Sequence, residues 1–400
     1  MRFKLDKIKS HFLLICLWMI TTSIFAQGYK DTLDSKLNQA FLQSELPGFA
    51  AIIVNKEGIS YRAGLGYADI EKNRSFTPQT IENIGSVSKT FIAVALMKAI
   101  ELGYFSLETN INDILPFKVI NPFFNEGQIK IKHLVTHTSG IIDDDSIYNK
   151  SYQFSMTGNV DGTVKAFMTE HGYTGGLQDT TLKSFMYSYL DQKGKLYSTR
   201  NFFRSRPGQR SSYSNIGSAL AAYLIEVKAG VSFAEFTEKY ILKPLKMSQS
   251  GWFLNKKNAG QHAIPYYNKK QAFPLYSLIT YPDGGLRTSA EDLSKYVIEM
   301  MRGLDGQSSL LKKESYDVML TPNFSINNLP ENISLKSRNK GVFWNLYNDG
   351  NIGHDGDDPG ISSNIIFNQD IGIIFLTNIY VEDRSIFLKS LQQYAKKLTN

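Results

Sequence analysis

The sequence has a single cysteine, Cys16, and it lies inside an apolar stretch near the N-terminus. Beyond that stretch there is no thiol, which excludes a disulfide framework, a cysteine nucleophile and a thiolate metal site. Lysine and arginine are never gathered into runs interleaved with aromatics, so nothing supports nucleic-acid binding. Past the N-terminal stretch no apolar segment is long enough to cross a bilayer. Internal repeats and low-complexity tracts are absent. Zinc chemistry of the His-Glu-x-x-His kind also fails: His133 and His137 are spaced i, i+4, but Leu134 stands where the glutamate is required, and no third ligand is near. Those histidines are expected to hydrogen-bond a turn before Gly140, and no metal or other cofactor is expected.

What is present begins with Arg2, Lys4, Lys7 and Lys9, followed by apolar residues from Phe12 to Phe25 and a cleavage point after Ala26. That pattern reads as a signal peptide, too short and wrongly flanked for a spanning helix, with an uncleaved N-terminal anchor as the alternative, and it predicts a secreted or periplasmic protein with no stable membrane span after cleavage. Cys16 follows Ile15, which is not the small residue that a lipoprotein cysteine wants. Of the net charge of +7, the four basic residues and Asp6 put +3 in residues 1–26, leaving a modest +4 for the rest.

The most informative stretch is Ser86-Val87-Ser88-Lys89, followed by a run from Thr90 to Ile100 that is apolar almost all the way round. Such a run predicts a buried central helix ending near Gly103. Residues i and i+3 face the same way, which sets the Ser86 hydroxyl beside the Lys89 amine at the first turn. Desolvation favours a neutral amine, and a neutral amine next to a hydroxyl can take its proton and so activate a weak nucleophile. The helix N-terminus adds N–H groups suited to a developing oxyanion. An N-capping serine with a snorkelling lysine has the same four letters, and Ser337-Arg338-Asn339-Lys340 repeats them in a polar stretch.

Two further elements carry chemistry. Tyr213-Ser214-Asn215 precedes a helical run from Ile216 to Val227. A tyrosine near an ammonium ionises more easily and can act as general base or acid, and an asparagine can both donate to and accept from a substrate amide. Gly353-His354-Asp355-Gly356 leads into a turn at Asp358-Pro359-Gly360. Its glycines let backbone approach a ligand, and His354 could protonate or orient one.

In this order the three elements resemble the serine β-lactamase and penicillin-recognising hydrolase superfamily, in the branch of class C β-lactamases, D-alanyl-D-alanine carboxypeptidases, D-aminopeptidases and related esterases. Pro47 to Val54 looks like the family's first core strand, and Ile131 to Gly140 like its His-Thr-Ser-Gly turn. Pro244 to Met247 and Gly284 to Leu293 match further landmarks. The resemblance implies an α+β, β-lactamase/transpeptidase-like fold: an antiparallel sheet built from both chain ends, with flanking helices and an inserted, mainly helical domain. We place the sheet domain at 27–125 and 280–400, the insert at 126–279, and the signal peptide at 1–26. The resemblance also implies an acyl-enzyme on Ser86, with Lys89 as proton acceptor and Tyr213 as shuttle to the leaving group and activator of water. Asn215 would hold the acyl amide, and His354 stands where many relatives carry lysine. Gly356 completes that triplet, and the N–H groups of Ser86 and Asp357 would form the oxyanion hole.

The chain departs from the family pattern in two ways. There is no Glu-x-x-Leu-Asn stretch, so the class A route through a glutamate-activated water is absent. Asp355 replaces the hydroxyl residue of the third triplet, and with Asp357 and Asp358 it would repel an anion in the cleft. The expected substrates are therefore neutral or amine-bearing esters and amides, small molecules or peptides, cell-wall-derived ones included, with carboxylate-bearing β-lactams poor. A β-lactamase or D-alanyl-D-alanine carboxypeptidase proper is one alternative, and a non-catalytic penicillin-fold binding protein is another. Residues 141–206, polar, aromatic and irregular, are expected to shape the cleft mouth. Between Leu46 and Asp69 the turn signals Asn55-Lys56-Glu57-Gly58 and Gly64-Leu65-Gly66 are expected to separate strands, and the β-rich runs Ile361 to Phe367 and Ile371 to Asn378, joined by Asn368-Gln369-Asp370, read as a hairpin. Thr288 or Ser289, followed by Glu291 and Asp292, reads as a helix-capping box.

Overall fold

The computed structural model describes residues 30–156, 160–173, 176–177, 180–254 and 258–399. The leader with its cleavage point, and Cys16, lie outside the described residues. Residues 46–382 form one compact unit, and the helices 30–42 and Ser385–Thr399 belong to a second. In that second unit Lys36 Nζ donates to Gln393 Oε1 at 3.4 Å.

The larger unit is organised by an eight-stranded antiparallel sheet. Its strands in chain order are β1 (Gly48–Val54), β2 (Ile59–Asp69), β3 (Arg74–Ser75), β4 (Arg338–Lys340), β5 (Asn345–Tyr347), β6 (Ile352–Asp358), β7 (Ile361–Phe367) and β8 (Gly372–Thr377). Across the sheet they run β4-β5-β6-β7-β8-β1-β2-β3, so β1 sits between its sequence neighbour β2 and the distant β8. The register places Ile52 opposite both Ile374 and Arg62. Every residue of β1 and β8 is buried, which means that both faces of the sheet centre are covered. The expected hairpin is β7–β8: Asn368 turns the chain, its N–H meeting Ile371 O at 2.9 Å and its side chain accepting the Ile371 N–H at 3.0 Å. The helix Ala290–Leu304 packs on β1 and β8, and Ser289 caps it by accepting the Asp292 N–H at 3.1 Å.

One expected turn is absent. Gly64-Leu65-Gly66 lies inside β2 and pairs with β1. The glycine there serves close approach, since a Cβ on Gly64 would stand 2.5 Å from Phe76 O.

The helix Ser88–Glu101 is buried from Ser88 through Met97 and again at Ala99, as its apolar circumference requires, and Gly103 closes it in the left-handed region at φ +76°. It packs against the helix Asn215–Ala229. Among the described residues no single helix is long and apolar enough to cross a membrane.

Candidate active site

The Ser86 turn is built by close backbone contact. Gly85–Val87 is a 3₁₀ turn, and the α-helix starts only at Ser88. The expected single helix from Ser86 is therefore two elements, and the 3₁₀ geometry stacks i over i+3 more directly than an α-turn does. Gly85 has φ +50°, and a Cβ there would lie 3.0 Å from Asp357 N. Gly356 is tighter still: a Cβ on it would fall 2.1 Å from Ile84 O and 3.1 Å from Ser86 N. β6 is thus pressed against the turn, which brings the backbone of Ser86 and of Asp357 to one place. The short ladder Ile81–Asn83 with Arg287–Ser289 and the Leu286 N–H donated to Ser88 Oγ (3.1 Å) fix the turn from the other side.

Lys89 is 0 % exposed. Its Nζ donates to Ser86 Oγ at 3.0 Å, to Asn215 Oδ1 at 2.7 Å and to the Asp283 backbone oxygen at 2.7 Å. Tyr213 OH donates to Ser86 Oγ at 2.7 Å, and Lys89 Nζ lies 4.9 Å from the Tyr213 ring centre. One hydroxyl is therefore held between an amine and a phenol. Burial of the hydroxyl end pushes the Tyr213 phenol above its ordinary value, although Lys89 pulls the other way. The expected easier ionisation is outweighed by desolvation.

Asn215 occupies the first turn of its helix because Ser214 caps that helix, accepting the Gly217 N–H at 2.9 Å. The loop is fixed by Asp143, which accepts from Ser214 Oγ (2.7 Å), Asn215 N (2.5 Å) and Ile216 N (3.1 Å). Behind it His137, at φ +56°, accepts the Ser214 N–H on Nδ1 at 3.2 Å and lies ring to ring with Tyr213 at 4.5 Å. His133 Nδ1 accepts the Lys130 N–H at 3.1 Å. Both histidines are engaged by the backbone around their turn.

His354 is buried in β6, with Nδ1 2.7 Å from the Asp355 carbonyl. A carbonyl only accepts, so Nδ1 carries the proton. Burial, reinforced by the charge of Lys89, pushes the ring down to about 3. At neutral pH it is uncharged, has no extra proton to give, and is no cationic stand-in for the lysine of relatives. The aspartates beside it are engaged: Asp355 with Asn364, Asp357 with Ser362 Oγ at 2.5 Å, and Asp358 with Tyr152 and, at 3.3 Å, Asn83. Burial pushes both Asp358 and Asp283 up to about 7.

These groups share a cavity of about 670 Å³, lined by Ser86, Tyr213, Asn215, His354, Asp355 and Asp357 among others. Part of its lining is aromatic: Tyr148, Tyr152 and Tyr173 come from the 141–206 stretch, joined by Phe273. That stretch, expected to be irregular, contains the helices Gly162–Glu170 and Leu182–Leu190. Sequence reasoning passed over Asp143, Asp283 and the cavity-lining pair Arg338 and Lys340. Asp143 was hidden in an acidic run, and Arg338 and Lys340 sat in the repeated Ser-x-x-Lys dismissed as polar surface. Among the described residues no group of three or more His, Cys, Asp or Glu is placed to hold a metal ion.

An antiparallel sheet with flanking helices and a Ser-x-x-Lys turn against one of its strands define a protein of the penicillin-binding-protein and β-lactamase fold. A family model described as Beta-lactamase matches residues 31–386, and the chain belongs to that family. Protein flp of Staphylococcus aureus (strain MRSA252) is 25% identical over 362 residues, covering 88% of this chain and 63% of its own length. The chain thus spans less than two thirds of that relative. Esterase EstB of Burkholderia gladioli is 32% identical over 120 residues, 30% of this chain and 31% of EstB. The octameric penicillin-binding protein homologue from Pyrococcus abyssi superposes with a TM-score of 0.71 at 26% identity, covering 91% of this chain and 77% of that one.

Proposed function

We propose that this protein is a serine hydrolase that cleaves esters or amides through an acyl-enzyme on Ser86. The observation that carries the reading is the Ser86 hydroxyl held between Lys89 Nζ at 3.0 Å and Tyr213 OH at 2.7 Å. As Oγ attacks the substrate carbonyl, Lys89 in its amine form keeps its two N–H groups on Asn215 Oδ1 and Asp283 O and takes the hydroxyl proton on its lone pair, and the carbonyl becomes an oxyanion facing the N–H groups of Ser86 and Asp357. On collapse the bond to the leaving group breaks, and that group takes the Tyr213 phenol proton. Water then adds to the acyl-enzyme while the Tyr213 phenolate takes its proton, and as the acid leaves, the proton held by Lys89 returns to Ser86 Oγ. Asn215 Oδ1 holds Lys89 in reach of Ser86.

A relative named as an esterase supports small esters within the substrate range. D-amino-acid amides and peptides, including cell-wall fragments, and β-lactams belong to the same reaction class. The leader reading puts the enzyme outside the cytoplasm, where such fragments are met.

Intact-mass measurement after fluorophosphonate treatment tests the reading, together with a panel of short-chain esters, D-amino-acid amides, D-Ala-D-Ala peptides and nitrocefin. A single serine adduct and turnover, both lost in Ser86→Ala, are expected. A protein that gains no adduct and turns over nothing is a binder, and turnover retained in the mutant puts the chemistry elsewhere.

A further inference from the structure

The segment 199–210 walls a groove of about 1000 Å³, bounded on another side by Leu329 and Glu331, and none of its lining residues also lines the Ser86 cavity. Four arginines, Arg200, Arg204, Arg206 and Arg210, fall within that segment. Phe202 and Phe203 stand among them, an exception to the expectation that cations and aromatics nowhere interleave. Three of the guanidiniums are laid on rings: Arg204 over Phe123 at 4.5 Å, Arg206 over Phe124 at 5.6 Å and Arg210 over Phe203 at 4.9 Å. Stacking fixes the plane of a guanidinium and leaves its N–H edge free to donate. The backbone beneath is fixed as well. Asn121 Nδ2 donates to Phe203 O at 2.9 Å and to Ser205 O at 3.2 Å, the Phe203 N–H donates to Gly140 O at 2.8 Å, and the Gly208 N–H to Thr138 O at 2.8 Å.

Arg200, Arg204 and Arg210 line the groove, and among the described residues Glu331, 3.8 Å from Arg210, is the single acid that lines it. Three arginines against one glutamate leave the lining a charge of +2. No ion pair joins Arg200, Arg204 or Arg206 to a carboxylate among the described residues. Cations gathered in a concave site repel one another and focus a positive field, and an anionic ligand relieves that cost. Two groups of the lining able to donate, the Ser205 hydroxyl and Arg210 Nε, are shut from water without a partner.

We propose that this groove binds a small ligand carrying two or more phosphate groups in a row. A phosphate has enough oxygens for several guanidinium forks to share it, whereas one fork fills a carboxylate. The three lining cations outnumber what a single phosphate would neutralise. Phe123 and Phe203 each already lend a face to a guanidinium, so the groove is fitted to phosphate rather than to stacked bases. The site is independent of the hydrolase reading, since it needs neither Ser86 nor the groups around it.

The test titrates tripolyphosphate, monophosphate and citrate calorimetrically into the protein at low salt. Tripolyphosphate is expected to bind about tenfold more tightly than either of the others, or better. Arg204 is exposed, so Arg204→Ala should fold normally while weakening tripolyphosphate by about tenfold. Arg200→Ala and Arg204→Ala together should bring it down to the level of monophosphate. Glu331→Gln removes the opposing charge and should tighten tripolyphosphate about two- to fivefold, a gain that a merely structural role of the segment would not produce. Should the doubly substituted protein fail to fold, Arg204→Ala and Glu331→Gln read the same field from both sides. Citrate binding as tightly as tripolyphosphate, no binding of tripolyphosphate, or binding untouched by loss of these arginines overturns the proposal. So does a short single-stranded thymidylate that binds more tightly than tripolyphosphate through the same arginines, which would make the groove a nucleic-acid site.

Discussion

Asp143 and Asn215, 72 positions apart, meet where a carboxylate oxygen accepts a helix's first N–H at 2.5 Å. The same carboxylate takes the Ile216 N–H and the Ser214 hydroxyl, so three donors at the start of the helix Asn215–Ala229 converge on one side chain. The charge also sits favourably at a helix N-terminus. Since Asn215 in turn holds Lys89, Asp143 is a positioning residue for the amine beside Ser86.

Asp143→Ala should therefore cost about 1–3 kcal/mol of stability by orphaning those donors. It should lower kcat more than it raises KM, because Lys89 and Tyr213 lose their alignment. Urea denaturation and steady-state kinetics on a short-chain ester check both; a variant with normal kcat would show that the loop holds itself.

Tyr213 has 45 % of its surface exposed, and its hydroxyl alone reaches Ser86. Tyr213→Phe is expected to leave the melting temperature within a few degrees while lowering turnover by about 10²–10⁴-fold, the span of a lost acid–base group. A drop below threefold would remove the phenol from the mechanism.

Gly356 admits no side chain. The 2.1 Å approach of a Cβ to Ile84 O can be relieved only by moving β6 away from the Ser86 turn. Gly356→Ala should abolish turnover and fluorophosphonate labelling alike. Gly162, in the first turn of the helix Gly162–Glu170 with open space around it, is the control: Gly162→Ala should label normally.

The buried acids give a pH signature. Asp283 and Asp358 are pushed from 3.8 to about 7, chiefly by burial. A carboxyl that holds its proton more tightly when folded stabilises the fold fully below the unfolded value and loses that contribution as pH rises to the folded value. Stability should accordingly fall between about pH 4 and pH 7 by on the order of 2–4 kcal/mol per group, then level off. Asp283→Asn, which keeps an oxygen for Tyr148, should flatten part of that slope in denaturant melts taken across the window. An unchanged slope would assign the effect elsewhere.

The elements carried by strong periodicity were legible in the chain: the buried helix after Ser86, the β7–β8 hairpin, the first strand and the helix capped by Ser289. So was the meeting of Ser86, Lys89, Tyr213 and Asn215, because local order plus family likeness fixed it. Long-range charge was not legible. Lys340 and Asp283 approach the cleft from segments more than 190 residues from Ser86, and their effect depends on burial that no local pattern records. The neutral state of His354 was not legible for the same reason. Gly64 and Gly66 were misread as a turn, since a glycine that permits backbone contact has the same letter as one that reverses the chain.

The pairing of β1 with β8 has a consequence for how the chain matures. Gly48 O receives the Thr377 hydroxyl across 329 positions, and all seven residues of β1 are apolar or glycine. While the ribosome is still extending the chain, that strand has one edge unpaired, and contacts of such sequence separation form late. Truncation anywhere before Gly372 would leave the sheet open along β1, and aggregation is the outcome such an edge invites.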